Sequence, residues 1–423
     1  MVEFMFKPVP AGEAGFSGQP LQALQLFFDA LVAGGASLAC RPTIELNRGE
    51  TSMPMVQGWC DPAFKAVRDA FAASFSGSLA DQDREHGAAI TAIVDGRMVV
   101  DLWGGWADKA GTRPWTRDTA GVVMSQTKGW TGILVHSLAE AGLLNLDKPI
   151  AEIWPGFAAN NKEAITMAHV LDHSAGVPFV RVGTRELGFD QARWERAIED
   201  APALHAPGVR HIYHPLTYGY ICAGVVRRAT GRDISELLME KVTGPLGLDL
   251  TYGAARGRVM SESGMVGSSK GLELPLPLAV EAIVQAADPL DWGDPHILTA
   301  TIPAGNGVGT ARDIARLWAS LISAAAPLSK ETLARVTTQR WQGAEEMTGA
   351  EWRMGLGLML SNPFADFGPN ARAFGHPGAG GVAGFVDPDR RLAIGYLPNK
   401  PYMRPGTGER GPRLTRAILE AIG

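Results

Sequence analysis

Between Asp61 and Phe75 the apolar residues Phe64, Val67, Phe71 and Phe75 recur at spacings of three and four behind an Asp61-Pro62 opening. That spacing predicts an amphipathic helix with its cap and first turn at Asp61-Pro62. Two β-rich apolar runs follow, Ala88 to Val94 and Met98 to Trp103, joined through Asp95-Gly96-Arg97. An Asp-Gly turn between such runs predicts an antiparallel hairpin. From about residue 135 to 228 helix-length patterns dominate: Ile150 to Trp154, Met167 to His173, Gln191 to Ile198 and Tyr218 to Ala229. Strand-length runs return at Gly355 to Leu360, Gly381 to Val386 and Leu392 to Leu397, with Asp387-Pro388-Asp389 as the last turn. Leu414, Ile418, Leu419 and Ile422 then form a closing amphipathic helix. This order predicts an α/β protein of the α+β kind: an antiparallel sheet flanked by helices over 56–134 and 229–423, with a second, smaller, mainly helical domain over 135–228. Residues 1–55 are Gly-, Ala- and Pro-rich, with a helical pattern only from Leu21 to Val32, and read as a weakly patterned extension. Met53 and Met55, just ahead of the first strong pattern, suggest that translation begins there.

Composition narrows the function classes. Among 423 residues, 39 Lys and Arg stand against 44 Asp and Glu, a formal charge of −5. This balance excludes nucleic acid and anionic membrane surfaces as expected partners. Cys40, Cys60 and Cys222 are odd in number and far apart, without a C-x-x-C pair. No disulfide framework or zinc finger is expected. No run reaches the roughly 18 consecutive apolar residues of a membrane span; Leu21 to Ala39 is broken by Gln22, Gln25 and Asp29. The start carries Glu3 and Glu13 against Lys7, so the basic n-region of a secretory signal is missing and a cytoplasmic protein is expected.

The chemistry concentrates in Ser125-Gln126-Thr127-Lys128, followed by the helical pattern Trp130, Ile133, Leu134, Ser137 and Leu138. On a helix, residues i and i+3 share a face, so the lysine amine can reach the serine hydroxyl and take its proton. Backbone N–H groups at the helix start are placed to help an oxyanion. Downstream, Pro207-Gly208 leads into Tyr213, and Phe374-Gly375-His376-Pro377-Gly378-Ala379-Gly380-Gly381 directly precedes a strand. A free lysine titrates near 10.4 and a tyrosine near 10, so burial or a neighbouring cation must lower one of them before either serves as a base at neutral pH.

In this order, S-x-x-K, an isolated tyrosine after a turn and a His/Lys-x-Gly box at a sheet edge resemble the serine hydrolases of the class C β-lactamase and penicillin-binding-protein superfamily, most closely the family VIII carboxylesterases. The likeness extends from about Met55 to the C-terminus. It includes Ile165 to Pro178, which is similar to the family's I-T-x-x-x-L-L-x-H-x-S-G-[LV]-P segment, and the G-x-G at Gly355 to Gly357. The resemblance implies a β-lactamase-like fold with the site between two lobes. It implies Ser125 as nucleophile, Lys128 as its base and Tyr213 as proton carrier. The backbone N–H groups of Ser125 and Ala379 would form the oxyanion hole, with His376, Gly378 and, from its place near Tyr213, Tyr218 at the substrate. The activity it implies is a carboxylesterase acting on short-chain acyl esters through a Ser125 acyl-enzyme, with side activity on cephalosporin-type lactams and no metal or organic cofactor. The partner is a small-molecule ester; oligomeric state is left open. The alternatives are a true β-lactamase or D-amino-acid peptidase, an acyltransferase, and a non-catalytic binding relative.

Two departures favour uncharged esters. Tyr213-His214-Pro215 stands where lactam enzymes have Tyr-x-Asn or Ser-x-Asn, and proline offers no side-chain amide. His376 replaces the lysine of K-T-G, so attraction for a lactam carboxylate is weakened or made pH-dependent. Other motifs are set aside. Gly267-Ser268-Ser269-Lys270-Gly271 satisfies G-x-S-x-G, but Pro275 and Pro277 forbid the helix that a nucleophile elbow needs. His169 and His173 lack a third metal ligand, and His173 is expected in the last turn of a helix that Gly176 ends. Gly305 to Thr310 lacks the Gly-Lys-Ser/Thr ending of a phosphate loop and reads as a turn before the helix from Ala311 to Ile322.

Overall fold

Asp95 and Gly96 both have positive φ, 50° and 74°, the combination a two-residue hairpin turn requires. Val94 faces Arg97 across this turn, and the main sheet grows outward from that pair. The structure is a computed structural model that describes residues 55–423 apart from Ser78, Arg256, 263–292 and 402–407. Residues 1–54 of the extension, Cys40 and the Gly267–Gly271 motif with Ser269 therefore lie outside the described residues.

The strands are β1 (Gln57–Cys60), β2 (Gly87–Val94), β3 (Arg97–Gly105), β4 (Gly121–Val122), β5 (Thr251–Tyr252), β6 (Gly307–Gly309), β7 (Trp341–Ala344), β8 (Glu351–Met354), β9 (Met359–Leu360), β10 (Phe374–Gly378), β11 (Val382–Asp387) and β12 (Leu392–Pro398). Nine of them form one sheet in the order β1-β3-β2-β12-β11-β10-β9-β8-β7, and β4-β6-β5 form a small second sheet. Every pairing within these sheets is antiparallel. The helices that matter to the site and its support are α1 (Lys65–Ala73), α2 (Thr127–Glu140), α3 (Gln191–Asp200), α4 (Thr217–Thr230), α5 (Ala311–Ser320) and α6 (Arg410–Ile422).

The sheet is covered on both faces, and its side chains alternate accordingly. Phe385, Ile394 and Tyr396 join Val67 and Phe71 of α1 and Leu414 and Ile418 of α6 in one layer. Val386, Ala393 and Leu397 join Trp130 and Ile133 of α2 and Ile314, Leu317 and Trp318 of α5 in the other. Each such fully buried side chain contributes about 1.5–3 kcal/mol of transfer free energy. Beneath the first layer, Arg410 at the start of α6 donates from Nη1 to Glu85 Oε2 at 2.8 Å, and the Tyr396 hydroxyl donates to the other oxygen. Arg410 and Glu85 are each 2% exposed.

The α1 and α6 helices, the early hairpin and the last two long strands stand where their patterns place them. The run Gly355 to Leu360 does not form one strand: Met354 ends β8, residues 355–358 turn, with Gly357 at φ 88°, and only Met359 and Leu360 rejoin the sheet. The strands β7 and β8 carry Gln342, Glu351 and Arg353 and were not foreseen. The helix at Met167–Leu171 ends earlier than its pattern predicts, so His173 stands beyond it with φ 63°.

Candidate active site

The turn before α2 carries Ser125. Met124 takes a positive φ of 52°, an unusual conformation for a non-glycine residue, and its carbonyl accepts from the Thr127 hydroxyl at 2.6 Å. Thr127 Oγ1 also accepts the N–H of Gly307 at 2.8 Å, while Val123 N–H donates to Gly307 O at 2.8 Å. The turn is thereby pinned to β6 from both sides. A Cβ on Gly307 would stand 1.9 Å from Cζ2 of Trp130, so only glycine permits this approach. Ser125 is half-buried.

Lys128, the second residue of α2, is fully buried. Its Nζ donates to the carbonyl oxygens of Pro215 and Ala304, each at 2.8 Å, and lies 4.7 Å from the ring centre of Tyr213 and 5.9 Å from that of Tyr218. No carboxylate pairs with it among the described residues. Burial therefore holds its pKa well below the ordinary lysine value. A neutral amine has two hydrogens and one lone pair. Both hydrogens are taken by carbonyls, which leaves the lone pair free to accept a proton.

Tyr213 is half-buried and follows a stretch without regular structure. The Ser125 side chain is the hydrogen-bonding neighbour of its hydroxyl. Burial raises the phenol's pKa, the bond to Ser125 opposes this, and the charge of Glu345 adds to the rise. The structure thus brings Ser125 and Lys128, from the start of α2, together with Tyr213 from a distant segment. At the end of β10, Gly378 abuts the Ser125 turn so closely that a Cβ would meet the Val123 carbonyl oxygen at 2.2 Å. Ala379, the next residue, is exposed beside it.

Residues 70–417 match the Beta-lactamase family. The chain belongs to that family. It is 32% identical over 372 residues to Esterase/beta-lactamase LipL of Mycobacterium tuberculosis, a match spanning 82% of this chain and 83% of that protein. Among solved structures it is similar to a penicillin-binding protein homologue from Caulobacter crescentus, with TM-score 0.78 and 30% identity over 86% of this chain and 99% of that one. It is also similar to a family VIII carboxylesterase, with TM-score 0.76 and 32% identity over the same shares of the two chains. This Beta-lactamase family member is a serine hydrolase with the β-lactamase-like fold: a large antiparallel sheet flanked by helices.

Within the family frame, two expected substrate residues behave differently from expectation. Tyr218 is 1% exposed and donates its hydroxyl to the Lys128 carbonyl at 3.3 Å. Its ring packs 5.4 Å from that of His173, with Lys128 Nζ 5.9 Å from its centre. His376 is buried, its Nδ1 bonded to Pro377 O at 2.7 Å. A carbonyl only accepts, so Nδ1 carries the hydrogen and Nε2 is the acceptor nitrogen; Nε2 has no protein partner among the described residues. Burial, with Lys128 nearby, pushes the His376 pKa down to about 3. At neutral pH it presents a lone pair and no positive charge. Of the two expected outcomes for a lactam carboxylate, weakened or pH-dependent attraction, a neutral His376 agrees with the first.

His169 Nδ1 accepts the Thr166 N–H at 3.1 Å in a helix cap. Among the described residues no cluster of His, Cys, Asp or Glu could hold a metal, and no helix is long and apolar enough to cross a membrane. Instead His173 packs 4.8 Å from Tyr213 and 5.4 Å from Tyr218 and accepts the His214 N–H at Nδ1. Its contact with Tyr213 escaped the sequence reading, as did Glu345, whose Oε1 accepts the Tyr213 N–H at 2.8 Å. Two cavities, of about 430 and 440 Å³, lie elsewhere and are not lined by Ser125, Lys128 or Tyr213.

Proposed function

We propose that this protein is a carboxylesterase that cleaves short-chain acyl esters through an acyl-enzyme on Ser125. The observation that carries this reading is Lys128, a buried lysine whose Nζ donates to two carbonyls and has no carboxylate partner among the described residues. Ser125 Oγ attacks the ester carbonyl carbon as Lys128 Nζ takes its proton. The oxyanion is received by the N–H groups of Ser125 and Ala379. Tyr213 passes the proton to the departing alkoxide oxygen, and the C–O bond of the ester breaks to leave the acyl-Ser125 ester. Water then enters and gives a proton through Tyr213 to Lys128 as its oxygen bonds to the acyl carbon; the bond from that carbon to Ser125 Oγ breaks, Lys128 returns the proton to Oγ, and the acid leaves.

Esters are favoured over lactams by two features. Pro215, at the third position of the tyrosine motif, offers only a backbone carbonyl, and that is taken by Lys128. Neutral His376 offers no cation to a lactam carboxylate. The similarity to Esterase/beta-lactamase LipL and to a family VIII carboxylesterase supports the same reading, and a weaker activity on cephalosporin-type lactams follows from the shared acylation chemistry. The test is steady-state kinetics with p-nitrophenyl butyrate and nitrocefin on wild type, Ser125→Ala, Lys128→Met and Tyr213→Phe. Ester turnover exceeding lactam turnover, with all three variants losing the former by roughly 10²-fold or more, is expected. Efficient lactam turnover with little ester turnover would make it a β-lactamase.

A further inference from the structure

The strands β7 and β8 form the outer edge of the large sheet, and the turn between them reaches the segment that carries Tyr213. Glu345 opens this turn and is 1% exposed. Its Oε1 accepts the N–H of Tyr213 at 2.8 Å and that of Met347 at 3.0 Å. Its Oε2 accepts the N–H and the hydroxyl of Thr348 at 2.7 and 2.8 Å. All four partners are donors, so the group serves only as an acceptor, which is what a carboxylate offers. No cation pairs with it among the described residues, so it is not half of a salt bridge. Three of its bonds close its own turn. The fourth crosses 132 positions of sequence to one backbone atom.

Further contacts grip the same segment. Arg210 donates to Glu346 through Nε at 2.8 Å and through Nη2. The ring of His211 stacks on Trp341 at 4.4 Å. The Tyr213 ring meets the edge of Trp352 at 5.3 Å and packs with Phe179 and Met347. The hairpin therefore holds residues 210, 211 and 213 at once.

We propose that Glu345 is a positioning residue for Tyr213, fixing the tyrosine's backbone so that its ring, already packed on Trp352 and His173, delivers its hydroxyl to Ser125. The inference rests on the role given to Tyr213 under the proposed function. A main-chain anchor and two ring contacts together restrict where the hydroxyl can lie. The negative charge also disfavours tyrosinate, which keeps Tyr213 a neutral proton carrier while Lys128 acts as base.

The test is a double-mutant cycle on the full-length protein with p-nitrophenyl butyrate, using Glu345→Gln, Tyr213→Phe and the pair. Gln keeps one carbonyl oxygen and replaces the other with donors, so it cannot serve Tyr213 and Thr348 together. Glu345→Gln alone is expected to lower kcat roughly 10²-fold, the scale of a 1 Å misplacement, with KM little changed. It should also move the alkaline limb of the pH profile to lower pH. In the Tyr213→Phe background the same substitution should cost little more, because its effect passes through the missing hydroxyl. Glu345→Asp, which keeps the charge but shortens the reach, should lose kcat without moving the alkaline limb, and it stands in should the Gln variant fail to fold. An equal loss from Glu345→Gln in both backgrounds, or wild-type kcat in Glu345→Asp, overturns the inference while leaving Tyr213's role intact. Wild-type kcat in Tyr213→Phe alone overturns that role, and the inference with it.

Discussion

Gly378 joins the fold to the chemistry. A Cβ on it would stand 2.2 Å from the Val123 carbonyl oxygen and 3.3 Å from Met124 Cβ, where ordinary contact begins at 3.4 Å. The atom in the way is main chain with no flexible end to swing aside. Gly378→Ala therefore requires β10 and the Ser125 turn to separate by about 1.2 Å. Overpacking of this kind costs about 1–3 kcal/mol, less than the roughly 5–15 kcal/mol that holds a typical native state, so the variant should fold. A displacement of order 1 Å at a reacting group costs roughly 10²-fold in rate. The comparison is Gly395→Ala, where the added Cβ would meet Ala311 O at 2.1 Å, an overlap of similar size between β12 and α5. Urea midpoints and kcat/KM for p-nitrophenyl butyrate should be measured on both. Similar losses of stability are expected, with the roughly 10²-fold loss of rate confined to Gly378→Ala. Wild-type kcat/KM in Gly378→Ala, or an equal rate loss in the two variants, would refute the reasoning.

Burial lowers the Lys128 pKa, so the base is present above that lowered value and lost as pH falls through it. The acid limb of kcat/KM should therefore lie well below the free-lysine value of about 10.4, and Lys128→Arg, which cannot deprotonate, should lose roughly 10²–10⁴-fold; a limb at the free value would contradict this. His376, pushed down to about 3, is neutral across the working range. KM for an anionic ester should then be flat between about pH 5 and pH 8, and His376→Lys should lower it; a KM that climbs as His376 would lose a proton near neutrality counts against the assignment. Arg410→Met strips from buried Glu85 the cation that is salt-bridged to it. Urea unfolding should show a loss of about 3–5 kcal/mol. Burial already raises the Glu85 pKa, so its neutral form is the one the fold tolerates and the loss should shrink as pH is lowered. A surface-sized loss below about 1 kcal/mol would show that the pair is solvated.

Much of the site was readable because its determinants are local. An S-x-x-K pattern at a helix start and a glycine box before a strand each lie within a few residues, and the Asp95-Gly96 turn announces its hairpin through backbone conformation alone. The unread part depends on contacts between distant segments. Nothing within several residues of Glu345 distinguishes it from a solvated surface carboxylate, since its meaning comes from Tyr213, far away in the chain. The edge strands β7 and β8 are too short and too polar for a period-two signal. Within Gly355 to Leu360 the apolar residues mimic a strand, while Gly357 takes a left-handed φ that ends pairing. Tyr218 is near Tyr213 in sequence, but α4 starts between them and buries its hydroxyl against the Lys128 carbonyl.

The most direct test of the account is intact-mass spectrometry of the protein during p-nitrophenyl butyrate turnover, with Ser125→Ala and Ser269→Ala beside wild type. A butyryl adduct on wild type and on Ser269→Ala, absent together with turnover in Ser125→Ala, is the predicted result. An adduct and full activity that survive in Ser125→Ala and vanish in Ser269→Ala would contradict the assignment of the nucleophile and the mechanism built on it.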